Sequence, residues 1–231
     1  MEKEAGILIQ EMKISLTVGK QAYAIFFVVI LSLVRGVTDS DEVGIALEAP
    51  MAALALTFCA DTYTQEIVSR RSEIWRLCPM KRRVRVIYRR IVIQEVFLLF
   101  AAAAGYGLFF LFQSPRMDSM GTGGAESEIC RFLIYVAAVA VTLGFWGFLS
   151  NLISCLFRNM WVGIGGCLVL WLITNSSMGD RCFGAWNLFS YTFRELEDGG
   201  DFHWIWGKIV CICIGILAAA VLPGIMKRQD R

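Results

Sequence analysis

Few side chains in this sequence could do covalent or metal chemistry. The one histidine, His203, stands between Phe202 and Trp204, so a paired-histidine HExxH zinc site cannot be built. No GxSxG nucleophile elbow occurs. Gly19-Lys20 and Gly207-Lys208 supply the Gly-Lys pair of a phosphate loop. The glycine required five positions earlier is Ile14 or Phe202, however, and neither lysine is followed by Ser or Thr. The chain is therefore expected to be no enzyme and to hydrolyse no ATP by itself, with no metal or cofactor of its own. The eight cysteines give no redox motif: Cys211 and Cys213 lie in an apolar run, where a thiol packs as a small hydrophobe. Cys130 and Cys182 fall near the outer ends of apolar runs, where an oxidising compartment would permit a disulfide and two free thiols are the alternative.

Charges within apolar runs are more informative. Glu48 lies about one turn inside the end of its run, where it either meets headgroups or packs in an outer vestibule. Glu95, beside Gln94, lies about one turn inside the opposite end of another run and is expected to pair with Arg89 or Arg90. Lys208 sits near the outer end of the last run.

The elements that carry these residues are long and apolar. Hydrophobic residues make up 57% of the chain and charged residues 18%, against about 25% charge in a soluble domain. The apolar residues gather into runs at about 18–34, 43–60, 91–112, 132–156, 160–174 and 205–226. Six such runs, each near the length needed for a hydrocarbon core of about 30 Å, leave too little polar sequence to cover them in water. The expected fold is an all-α polytopic membrane protein with six transmembrane helices forming a single domain over 1–231. Residues 1–17 alternate irregularly between apolar and charged, are too polar to cross, and read as an amphipathic helix at the surface rather than a signal peptide. Gly144 and Gly147, with Gly163, Gly165 and Gly166, would let the fourth and fifth helices approach closely.

Net charge is only +2, but nine basic residues fall between Glu66 and Arg90. A nucleic-acid binder would use such a cluster, but membrane-length runs on both sides make it a cytoplasmic loop under the positive-inside bias, with no nucleic-acid partner. The Arg158 turn and Lys227, Arg228 and Arg231 then share the cytoplasmic side, and both termini are cytoplasmic. Within this 66–90 segment, Ile67, Ile74, Trp75, Leu77 and Cys78 give a partly apolar helical face beside Arg70, Arg71 and Arg76. Pro79 breaks that helix before a second basic helical run. Such a helix can dock in the groove of a soluble partner or lie on anionic lipid. The outer segment 175–204 contains CFGAWNLFSYTF, too aromatic for a freely solvated loop. It reads as a short helix or re-entrant segment, acting as a lid over a route or as a headgroup anchor.

This arrangement resembles the membrane subunit of ABC transporters of the type-2 exporter permease family. Glu66, Glu73, Ile74, Leu77, Pro79, Lys81, Arg82 and Arg83 resemble the family's coupling helix between the second and third crossings, although Arg70 and Arg71 occupy the neighbourhood of its customary glycine. GFWGFLSNLISCLFRNMWVG is similar to its small-and-polar helix with an arginine-containing turn, and NLFSYTF to its outer segment before the sixth crossing. The resemblance implies a cell-membrane exporter whose pathway forms between two permease chains, identical or related. Separate ABC ATPase subunits would bind ATP and Mg and press on the inner loops. It assigns coupling to Glu66, Arg70, Glu73, Arg76 and Pro79, and the route or outer gate to Glu48, Phe145, Asn151, Phe189 and Tyr191. A peptide or drug is the expected cargo. A non-transporting scaffold or immunity protein, and a secondary transporter, are the alternatives.

Overall fold

The computed structural model describes residues 2–68, 77–115, 124–193 and 204–229. Its regular elements are helices: α1 (Glu2–Ser15), α2 (Val18–Val34), α3 (Ser40–Cys59), α4 (Thr64–Val68), α5 (Met80–Gln113), α6 (Gly124–Phe157), α7 (Met160–Thr174), α8 (Ser177–Phe183), a 3-10 turn at Gly184–Trp186, and α9 (Trp204–Gln229). Four segments, Glu42–Glu66, Met80–Gln113, Glu128–Phe157 and Trp204–Arg228, are each long and apolar enough to cross a membrane. Two more reach that length only as bent pairs, Gly6–Ser15 with Val18–Val34 at 63° and Met160–Thr174 with Ser177–Trp186 at 74°. The bundle thus has four clear spans, and six if each bent pair counts as one.

The apolar residues sort by position. Those of α3 are buried on nearly every side, including Leu47, Met51, Ala52, Leu54, Ala55 and Leu56, so α3 is the central helix. Those on the outside of the bundle, among them Phe26, Val34, Phe100, Leu111, Ile216 and Leu217, stay exposed. In water that surface would be a large unburied apolar patch; in lipid it is the solvent-facing side.

Against lipid there is little hydrophobic drive between helices, so close packing and interhelical hydrogen bonds hold the bundle. Gly163 brings α7 against α6, since a Cβ there would fall 2.9 Å from the Ser150 carbonyl oxygen. Arg158, at φ 53°, makes the reversal between them. Asn159 caps α7 by accepting from the Trp161 amide at 2.9 Å. Gln113 at the end of α5 donates to the Ser32 and Arg35 carbonyls at 2.7 and 2.6 Å and accepts from the Val37 amide at 2.8 Å, closing the frayed end of α2. Pro223 inside α9 lacks the N–H that would satisfy the Ala219 carbonyl, and the Tyr88 hydroxyl on α5 donates to that carbonyl instead.

Candidate functional site

Two charge clusters stand along the α3 segment, one near the middle of α3 and one at the elbow beyond its end. The first is centred on Glu48, which is 0% exposed. Lys208 of α9 forms an ion pair with Glu48 Oε1. The same ammonium donates to Thr142 Oγ1 on α6 at 2.8 Å and to the Leu188 carbonyl at 3.2 Å. Thr142 donates to Glu48 Oε1 at 2.8 Å, and Thr192 donates to Oε2 at 2.6 Å. The three ammonium protons thus have three acceptors, and both carboxylate oxygens are occupied. Such completeness makes a charge pair tolerable in a low-dielectric interior. Glu48 is therefore not solvated by headgroups: it joins α3, α6, α9 and the segment following the 3-10 turn.

That segment is packed into the bundle. Asn187 to Tyr191 are buried, and Gly207 in the first turn of α9 admits them closely, since a Cβ there would stand 2.0 Å from the Asn187 carbonyl oxygen. Asn187 Nδ2 donates to the Thr174 carbonyl at 2.9 Å and Ser190 donates to the Trp204 carbonyl at 2.7 Å. Phe189 stacks on Trp146 at 5.8 Å between ring centroids and meets Trp171 edge-on at 6.5 Å. Tyr191 meets Trp204 edge-on at 5.6 Å, with its hydroxyl against Gly44 of α3.

At the elbow, Arg90 of α5 pairs with Glu66 in α4 and with Glu11 in α1. Lys20 of α2 pairs with Asp61 at 2.5 Å and donates to the Phe58 carbonyl at 2.9 Å. The elbow after α3 is thereby bound to α1, α2 and α5. Pro79 serves as the N-cap residue of α5, with the Arg82 amide donating to its carbonyl at 2.9 Å, so the basic run continues into one long helix. Arg70, Glu73 and Arg76 lie outside the described residues. A cleft of about 690 Å³ opens beside this elbow, lined by Asp61, Thr64, Gln65, Arg158, Asn159, Met160 and Trp161.

The remaining sequence-assigned residues do not converge on one site. Phe189 and Tyr191 belong to the packed segment near Glu48. Phe145 meets Trp146 at 5.0 Å between ring centroids. Asn151 lies toward the basic end, where its Nδ2 donates to the Cys59 carbonyl at the end of α3. Its Oδ1 is buried without a hydrogen bond.

Two expectations require correction, and one alternative is decided. Glu95 does not pair with an arginine: Arg90 is taken by Glu11 and Glu66, while Glu95 Oε1 is buried with no hydrogen-bond partner. Gly144 and Gly147 do not serve contact with α7 but give room to Glu95, since a Cβ on Gly147 would stand 2.8 Å from Oε1. Of the two alternatives left for Cys130 and Cys182, the structure has the free thiols, both exposed. Sequence reasoning also missed Lys208 as the partner of Glu48. The available signal was two opposite charges placed in apolar runs at the same end, each needing a counter-charge.

Among the described residues no group of three His, Cys, Asp or Glu is placed to hold a metal ion. The fold and its apolar exterior define an all-α, polytopic membrane protein. No family model, no curated protein and no solved structure matches the chain.

Proposed function

We propose that this chain is the membrane subunit of an ATP-driven ABC exporter of the type-2 permease kind, pairing with an identical or related chain to form a pathway. Separate ATPase subunits bind ATP and Mg and dock on the elbow, which faces the cytoplasm together with both termini. The observation that carries this reading is Leu77. It is 85% exposed beside Pro79, within a run of arginines and lysines that favours the aqueous side of a bilayer. An exposed apolar side chain flanked in sequence by basic residues is the kind of feature that seats in a partner's groove.

The elbow is well placed to pass on a push. Glu66 is joined through Arg90 to α1, and the α3 segment leads from it to Glu48, whose cluster includes the packed segment at 188–192. At 1.5 Å per residue, the stretch of α3 from Cys59 to Glu48 spans about 17 Å. Closure of the ATPase pair displaces the elbow, and α3 carries the displacement to the Glu48 cluster. The population then shifts between a state with the 187–193 segment seated and one with it withdrawn. Glu66, Arg70, Glu73, Arg76 and Pro79 form the coupling surface. Glu48, Phe145, Asn151, Phe189 and Tyr191 contribute to the route or its outer gate, and the cargo is a peptide or drug. At Glu48 both carboxylate oxygens are already bonded, which supports this reading over a secondary transporter with its coupling ion at that residue.

Reconstitution with the cognate ATPase subunits tests the reading. Replacing Glu66 and Glu73 with alanine is expected to reduce transport-stimulated ATP hydrolysis more than membrane insertion; unchanged stimulation would remove the assigned coupling role.

A further inference from the structure

A small crevice lies where α5 and α6 diverge. Val92, Glu95, Val96, Leu99, Ala140 and Leu143 line its volume of about 160 Å³. Its rim at Val92 and Val96 is exposed on the lipid-facing side of α5. Five of these six residues are apolar, and the sixth is a carboxyl. Glu95 lies five residues beyond Arg90, about 7.5 Å further along the helix axis from the basic end. Its side chain turns toward α6 into the space left by Gly144 and Gly147.

Among the described residues no ion pair balances this group. Glu95 Oε1 makes no hydrogen bond, and three cations of the bundle have other acceptors: Arg90 has Glu11 and Glu66, Lys20 has Asp61, and Lys208 has Glu48. A lone ionisable group within a lipid-embedded bundle is costly and normally marks a ligand or ion path. Here it lines an apolar opening whose rim is exposed on the outside of the bundle.

We propose that this crevice binds a lipid-soluble amine of the long-chain alkylammonium class. The ammonium meets the Glu95 carboxylate, and the alkyl chain lies along Val92, Val96 and Leu99 toward the acyl region. Charge complementarity selects the headgroup, because a neutral alcohol of the same length brings no cation to the carboxylate. The small volume selects a single narrow headgroup over a bulky multi-ring cation. The site stands independently of the export reading, since it uses α5 and α6 of one chain and no residue of the elbow.

Native mass spectrometry of the intact chain in detergent, titrated with dodecylamine, tests this directly. One amine adduct is expected on the unmodified chain, with dodecanol giving none at the same concentration. Glu95→Gln, which keeps the shape of the side chain, should weaken amine binding by about tenfold. Val96→Trp, which fills the crevice from its lipid side and leaves the carboxyl in place, should weaken it comparably. Absence of an adduct, equal binding of dodecanol, or unchanged affinity in both variants would overturn the proposal. Because no ATPase partner is present, the result is read separately from any failure of the transport assignment.

Discussion

The sharpest energetic statement concerns Glu48 and Lys208. Each would be an uncompensated charge in the bundle without the other, and removal of one partner of such a pair typically costs about 3–5 kcal/mol. Lys208→Ala is therefore expected to lower the thermal unfolding midpoint of the detergent-solubilised chain markedly. The double replacement Glu48→Leu with Lys208→Met should recover most of that loss, because an apolar pair of similar volume removes both charges at once. Failure of the double variant to recover would show that the threonine and carbonyl contacts, not the charges, dominate. Asn159 offers a smaller, local test. Asn159→Ala removes the side chain that accepts from the Trp161 amide, and should cost about 1 kcal/mol, measurable as a fall in the unfolding midpoint.

The helices were largely legible in the sequence, because hydrocarbon thickness fixes how long an apolar run must be. The runs expected at 18–34 and 160–174 coincide with α2 and α7. The run at 91–112 is the apolar part of α5, which begins at Met80: the basic helical run expected after Pro79 and the apolar run are one helix, because nothing in KRRVRVIYRR breaks it. The bend between α7 and α8 follows Thr174, where the sequence turns to Asn175, Ser176 and Ser177. Ser176 caps α8 by accepting from the Gly179 amide at 3.0 Å. What stayed hidden were pairings set by tertiary packing. Glu48 and Lys208 are 160 positions apart, and periodicity fixes neither helix's rotation. The same is true of Glu95, whose neighbouring arginine turns to Glu66 and Glu11.

Two predictions belong to elements. Tyr88→Phe removes the donor to the carbonyl that Pro223 leaves free, and should destabilise the α5–α9 contact by about 1 kcal/mol. Hydrogen exchange in α9 near Ala219 should rise. Arg90→Ala should release α1 from the elbow, since the arginine joins Glu11 to Glu66. Faster exchange of α1 amides, with α6 unchanged, is the expected signature.

At the scale of the whole molecule, the exterior belongs in lipid and the basic elbow belongs in water. The ion pairs at Glu48 and at Arg90 tie the middle of α3 and the elbow beyond it to the neighbouring helices. The most direct test places a photo-activated cross-linking amino acid at Leu77 in cells, with a matched control at Trp206 in the first turn of α9. The account predicts that position 77 captures an ATPase subunit from the cytoplasm and position 206 does not. Capture at 206 with none at 77, or labelling of position 77 only from outside the cell, would contradict it.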